Sequence, residues 1–197
     1  MIGVTIMKIR NTIYGGLTMH FNSRDLAAIS LSAALWAVVN WIVAPIFWQL
    51  THLPILCDML SVTVLIVALW WTRKPGAGTA MGVIATVLNF ILRPGAFQFL
   101  GFTVACAFFD ITSYLIGYGN ILDKGLKGSI SLIVLSVVST TIAGLIIGNF
   151  FMNPGFLSNM FGGVLIFAAI HGAGGLIGGS LGVVLIRGLE SRQVISR

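Results

Sequence analysis

The chain has very little charge. Only 8% of its 197 residues are Asp, Glu, Lys or Arg, whereas an ordinary soluble domain is roughly a quarter charged. The mean hydropathy is +1.03, and the apolar residues fall in runs close to the ~20 residues that cross a ~30 Å hydrocarbon core. Water is therefore not the main solvent of this chain, and its length limits the number of membrane spans.

The sequence also lacks the motifs of common catalytic sites. It contains no G-x-x-x-x-G-K-[ST] phosphate loop and no H-E-x-x-H pair, which nucleotide-binding loops and zinc proteases use. Five acidic residues in the whole chain leave little for acid–base catalysis. The two cysteines, Cys57 and Cys106, lie in apolar runs without the CxxC or Cys/His spacing of zinc or redox sites. We therefore expect no enzyme activity, no metal and no cofactor.

Apolar runs bounded by proline, glycine or charge predict an all-α integral membrane protein with six transmembrane helices. Two connections, residues 74–77 and 93–96, both read basic-Pro-Gly-Ala, a pattern that ends one helix and permits a turn. The first connection carries Trp48, Gln49 and His52. The last run is long enough for one tilted helix, a broken helix or two short passes. The predicted spans are residues 26–44, 54–72, 76–92, 98–117, 128–152 and 157–186.

Basic residues alternate from one connection to the next. Lys and Arg in short loops are retained on the cytoplasmic side of a membrane, so both termini are predicted to be cytoplasmic. The net charge of +6 is clustered between apolar runs, which favours lipid headgroups over nucleic acid as its partner. Ten of the eleven basic residues lie in connections or termini that are predicted to be cytoplasmic, and only Arg93 does not. The ten are Lys8, Arg10, Arg24, Arg73, Lys74, Lys124, Lys127, Arg187, Arg192 and Arg197.

The predicted spans divide the chain into three parts. Residues 1–23 are predicted to form a cytoplasmic arm, in which Met19 is a candidate start, residues 24–190 a six-helix transmembrane domain, and residues 191–197 a cytoplasmic tail. The cell membrane is the expected location.

Neutral polar and aromatic side chains gather at the predicted outer ends of the spans. Interfacial capping is one interpretation, and a pocket for a small polar ligand is the other. Asp58 and Arg93 are the sharpest pair, because an acid in an apolar span normally needs a partner. Asp110 and His171 lie deeper; we expect Asp110 to lock helices together and leave the role of His171 open. The candidate binding residues are Asn40, Trp48, Gln49, His52, Asp58, Asn89, Arg93, Gln98, Asn149, Asn153 and His171.

Small residues recur every four positions in two predicted spans. Gly174, Gly178 and Gly182 follow this spacing in the last span, and Ala33 and Ala37 follow it in the first. Such spacing lets another helix approach closely. Two interpretations stay open: packing within the chain, or a face that docks on a partner protein.

Together these features resemble the substrate-binding S components of energy-coupling factor (ECF) vitamin transporters. The resemblance covers roughly residues 24 to 190. It rests on six predicted helices, the alanine-rich first span (AAISLSAALWA), and the proline and acid that open the second span (LPILCDML). The RKPGA turn after the second span is similar to sequences of the family branch that is associated with thiamine and its pyrimidine precursor.

The resemblance implies a site and a set of partners. An S-component-like bundle has a pocket that opens outward beneath the first, third and fifth loops. Its first helix, here Ala33 with Ala37, docks on a transmembrane T component. The subunit would capture a vitamin-like molecule, thiamine or its precursor first among candidates, topple, and deliver it inward with two cytosolic ATPases. Riboflavin, other vitamins, queuosine-type precursors, nickel and cobalt stay open as ligands.

A second hypothesis needs no ATPase. A self-sufficient channel or secondary transporter could assemble as a homo-oligomer through the glycine face that includes Gly174 and Gly178. Solute movement by the reconstituted chain alone would favour this hypothesis, and co-purification with ECF partners would favour the S component.

Overall fold

The computed structural model describes residues 21–123 and 125–192. Most of the predicted arm with Met19, Lys124 and the end of the predicted tail lie outside the described residues. Within the described ranges the regular structure is helical, with no strand. It comprises α1 (Ser23–Thr51), α2 (Ile55–Thr72), α3 (Ala77–Leu92), α4 (Phe99–Ile116), a π-helical turn (Gly119–Asp123), α5 (Gly125–Phe150), α6 (Pro154–Phe161) and α7 (Val164–Ser191).

Five of the described helices are long and apolar enough to cross a membrane: α1, α2, α4, α5 and α7. The all-helical character expected from the sequence is therefore present, and these five helices are compatible with a multi-pass membrane protein. The third predicted span corresponds to α3, which is apolar but has only 16 residues. At 1.5 Å per residue it extends about 24 Å, less than the ~30 Å of a typical hydrocarbon core.

One predicted span boundary was wrong, and one open alternative is decided. The first span was expected to end at residue 44, yet α1 continues through Pro45 to Thr51, so Trp48 and Gln49 lie on the helix rather than in a loop. The last run is a broken helix, one of the three alternatives: α6 ends at Phe161 with Gly162 as its C-cap, and α7 begins at Val164 with Gly163 as its N-cap. Both glycines have positive φ, 74° and 119°, which L side chains rarely adopt.

The repeated basic-Pro-Gly-Ala turns have the same backbone feature. Gly76 has φ 88° and Gly95 has φ 90°, and α3 lies between the two turns. Because only glycine enters this region without steric cost, the pattern read from the sequence specifies both reversals that bracket α3.

The six longest helices form a closed ring. In order around the ring they are α1, α3, α4, α5, α7 and α2, with α2 again touching α1. Helix α2 also contacts α3 and α5 across the ring, and the short α6 packs on α7 and α5. The bundle has two ends, which we call the α1–α2 end and the α2–α3 end after the connections found there.

Glycines bring α7 very close to its two neighbours. A Cβ added at Gly178 would stand 2.5 Å from the carbonyl oxygen of Met59 on α2. A Cβ added at Gly175 would stand 2.7 Å from the carbonyl oxygen of Ser136 on α5. Gly174 and Gly178 are both buried. The glycine spacing is therefore used for packing within the chain, and these two residues are not free to dock on a partner.

Polar contacts join helices at the α2–α3 end. Asp110 on α4 accepts hydrogen bonds from the backbone N–H and the hydroxyl of Thr79 on α3, each at 2.9 Å, and from the hydroxyl of Tyr118 at 3.2 Å. Burial and the Asp110 carboxylate raise the pKa of Tyr118. These contacts match the expected locking role of Asp110. Further contacts at this end are Arg73 to Asp123, Lys74 to Asp25 and Trp70 to Glu190.

Candidate functional site

A cavity of about 350 Å³ lies among the helices at the α1–α2 end. Its wall is built from the second half of α1, the first turns of α2, α4 and α7, and the last turns of α5. The exposed residues Gln49, Arg93 and Phe151 mark its mouth. Three alternate reversals, at residues 52–54, 93–98 and 151–153, bring these helix ends to one side of the bundle.

Seven of the eleven predicted binding residues line this cavity, although they come from five separate segments of the chain. The sequence places most of them at one predicted end of the spans, and the helices do converge there. The seven are Asn40, Trp48, Gln49, Asp58, Arg93, Gln98 and His171.

The other four predicted residues do not line the cavity. His52 is the exposed C-cap of α1, with φ 56°. Asn149 is exposed and donates to the backbone oxygen of Leu145 on its own helix. Asn153 is the N-cap of α6, accepting from two backbone N–H groups. Asn89 is fully buried behind the wall. Capping therefore accounts for His52 and Asn153, as the interfacial interpretation allowed.

Asp58 has a partner on another helix, and this partner is His171. Its Oδ2 atom lies 2.8 Å from Nδ1 of His171 on α7, whereas no ion pair joins it to Arg93. Arg93 is the C-cap of α3 and is exposed at the cavity mouth. An Asp58–Arg93 ion pair was one of the interpretations left open; the close approach of α7 to α2 instead places the imidazole of His171 beside the carboxylate.

A buried chain of hydrogen bonds supports the cavity wall from behind. The Asn40 side-chain amide donates to Oδ1 of Asn89 at 3.0 Å, which joins α1 to α3. The Cys57 thiol donates to Oδ1 of Asn40 at 2.9 Å, which joins α2 to α1. Asn89 donates to the backbone oxygen of Ala85 at 2.8 Å. The three helices are thus held in register beneath the cavity, and Cys57 takes part in more than apolar packing.

Replacing Asn40 by alanine is expected to lower the thermal unfolding temperature of the purified protein. The change leaves Oδ1 of Asn89 buried without its donor, which costs about 1–3 kcal/mol. Asn149→Ala is the matched control, because Asn149 is exposed and bonds only within its own helix. Equal unfolding temperatures for the two variants would show that the amide chain does not stabilise the bundle.

Aromatic side chains form the remaining wall, and the sequence did not single them out. Trp36 stacks on Phe102, with ring centroids 4.1 Å apart and an interplanar angle of 14°, and meets Phe99 edge-on at 5.5 Å. Phe167 meets the His171 ring edge-on at 4.6 Å. In the sequence these residues lie inside apolar runs, where the pattern does not distinguish residues of a pocket wall from residues that only pack in the core.

The predicted docking face on α1 was wrong for this conformation. Ala33 and Ala37 are both 0% exposed and lie on the inward side of α1. Small residues at this spacing permit close helix approach, and here the approaching helices belong to the same chain. Neither residue can contact a T component unless the bundle opens.

One further motif match follows from the glycine spacing. Residues 178–182 read G-G-S-L-G, which fits the G-x-S-x-G pattern of serine hydrolases. The pattern requires the serine on a sharp strand-to-helix turn, but Ser180 lies inside α7 and donates to the backbone oxygen of Leu176 at 2.8 Å. Ser180 therefore does not have the backbone position that this motif requires of its serine nucleophile.

The side chains at the cavity supply a carboxyl group, an imidazole, a guanidinium group, three amides and several aromatic faces. In residues 21–123 and 125–192 no three His, Cys, Asp or Glu side chains come together as a metal site. Comparisons with models of protein families, with curated proteins and with solved structures find no match for this chain. The arrangement is suited to binding a small molecule with an aromatic part and a polar part.

Proposed function

We propose that this chain is the membrane-embedded substrate-capture subunit of an ECF-type transporter. It binds a vitamin or related small molecule, thiamine or its precursor first among candidates, at the outer face of the cell membrane. A T component and two cytosolic ATPases then drive delivery inward. The observation that carries the proposal is the ligand-sized cavity at one end of the bundle, since small-molecule sites are typically ~300–1,000 Å³ and this one is about 350 Å³.

Charge distribution supports an outward-facing cavity. Arg93, the basic residue that stands apart from the predicted cytoplasmic set, is at the cavity mouth. Arg73, Lys74 and Arg187 are at the α2–α3 end, where retained positive charge indicates the cytoplasm. This orientation has six spans and cytoplasmic termini. It requires α3 to cross the membrane, which a locally thinner bilayer or flanking residues can accommodate.

The closed α2–α3 end favours capture over free passage. Ion pairs there join α1 to the α2–α3 turn and α2 to the π-helical turn, which ties these elements together at the end opposite the cavity. A subunit that holds a ligand at one end and has no phosphate loop needs a partner to complete transport. The homo-oligomer hypothesis loses its interface, because Gly174 and Gly178 are buried against α2.

Co-expression tests this proposal directly. The tagged chain, expressed with an ECF T component and both ATPases, is expected to recover all three, and native mass spectrometry should detect thiamine or a related molecule on the chain. The same module expressed with an unrelated six-helix protein is the control. Thiamine uptake by liposomes that contain the chain alone would contradict the proposal and favour a secondary transporter.

A further inference from the structure

The described lining of the cavity contains one acid, and a histidine lies in contact with it. Among the described side chains that line the cavity, Asp58 is the one carboxylate. It is 7% exposed and its partner His171 is 4% exposed, with 2.8 Å between Oδ2 and Nδ1. Among the described residues, neither the imidazole nitrogens nor the Asp58 Oδ2 atom has a hydrogen-bond partner by geometry, so the approach of Oδ2 to Nδ1 is their one close polar contact. The pair therefore depends on one mutual contact.

Glycines on two helices fix the position of this pair. A Cβ added at Gly174 would stand 2.7 Å from the Asp58 Cβ, and one added at Gly144 would stand 2.9 Å from the His171 Cβ. Both side chains consequently pack directly on neighbouring helix backbones. The carboxylate and the imidazole are held in place before any ligand arrives, so little ordering is left for binding to accomplish.

A carboxylate in apolar surroundings requires either a proton or a nearby positive charge. One proton held between Asp58 and His171, whose Oδ2 and Nδ1 atoms are 2.8 Å apart, would meet this requirement, whichever atom carries it. A cationic ligand beside Asp58 would supply the same charge and make that proton unnecessary. The faces of Trp36 and Phe102 at the wall would add attraction for a cation.

We propose that the cavity binds organic monocations, and that the charged nitrogen of the ligand replaces the proton shared by Asp58 and His171. One cation enters and one proton leaves through the cavity mouth to solvent, so the net charge of the site is unchanged. This inference rests on the proposed function only in taking the cavity as the ligand site. Because protons compete with the cation, affinity must rise with pH, by up to about tenfold per pH unit.

Few other groups near the pair can titrate. Cys57 on α2 lines the cavity, Cys106 on α4 lies beneath Asp58, and Arg93 faces the mouth. From α1 and α5, and from α7 apart from His171, no acid or base lines either space. Arginine stays protonated at all working pH values. The thiols are tested with Cys57→Ser and Cys106→Ser, which should keep the pH dependence.

Calorimetry with simple probes tests the exchange. The purified full chain in detergent is titrated with benzylammonium and with benzyl alcohol, its neutral counterpart, between about pH 5.5 and pH 8, where imidazole groups titrate. Two buffers with different ionisation enthalpies report the protons released. We expect about one proton per benzylammonium and an affinity that rises nearly tenfold per pH unit. Benzyl alcohol should release none and bind independently of pH.

Asp58→Asn should weaken benzylammonium binding at least about tenfold and leave benzyl alcohol binding unchanged, which also shows that the variant is folded. A flat pH profile, no proton release, no benzylammonium binding, or unchanged binding by Asp58→Asn would overturn the proposal. The proton count on the unmodified chain decides the matter even if the variant does not fold. Recovery of the ECF partners is a separate result, so the proposed function can fail while this inference stands.

Discussion

Gly178→Leu is expected to prevent the chain from folding to a single species in detergent. The first atom of the new side chain would stand 2.5 Å from the carbonyl oxygen of Met59 and 2.8 Å from its Cα. Both are backbone atoms that cannot move aside by a rotamer change, so α7 and α2 must separate. The loss of this contact and of the cavity wall beyond it should cost more than about 4 kcal/mol.

Size-exclusion profiles and thermal unfolding temperatures check this prediction. Gly188→Leu is the matched control, because Gly188 is on the same helix and a Cβ there meets nothing within 4 Å. The control should behave as the unmodified protein does. If Gly178→Leu instead gives a folded monomer from a protein that was oligomeric before, Gly178 makes an intermolecular contact and is not what packs α7 on α2.

Ala143→Phe is expected to abolish ligand binding while the bundle still folds. Ala143 on α5 lines the cavity and is 4% exposed, so a phenyl ring there must occupy space that the ligand needs. Overpacking of this kind typically costs 1–3 kcal/mol of stability. Affinity for thiamine should fall at least about a hundredfold, which corresponds to about 2.7 kcal/mol.

Fluorescence quenching of the cavity tryptophans by thiamine measures this loss, since Trp36 and Trp48 both line the cavity. Ala173→Phe is the control: Ala173 is exposed on α7, and its substitution should leave affinity unchanged. Retention of full affinity by Ala143→Phe would place the ligand outside this cavity. A parallel loss in both variants would point to general damage to the helices.

The helices themselves were largely predictable, and the reason is chemical. A span in hydrocarbon must satisfy every backbone hydrogen bond within itself, so each long apolar run is specified as a helix by composition alone. Gly76 and Gly95 were predictable for a related reason, since positive φ is available to glycine at low cost. The predicted end of the first span before Pro45 was wrong, because a proline inside a helix removes one hydrogen bond without having to end the helix.

The binding residues were predictable only as a group at one end of the bundle. Depth along a span follows from residue counting, which placed Asp58 and Arg93 at a similar level. Which way a side chain points, and what it meets, depends on how each helix is rotated against its neighbours. For this reason Ala33 was expected to face a partner but packs inside the chain.

What the sequence by itself determined is the solvent, the helical class, the turns and the end of the bundle where polar groups collect. These depend on local composition, which acts within a few residues. Only the tertiary structure decided that Asp58 meets His171, that Trp36 and Phe102 form a wall, and that the glycines of α7 pack inward. Those facts depend on contacts between helices far apart in the chain, where van der Waals fit selects the partner.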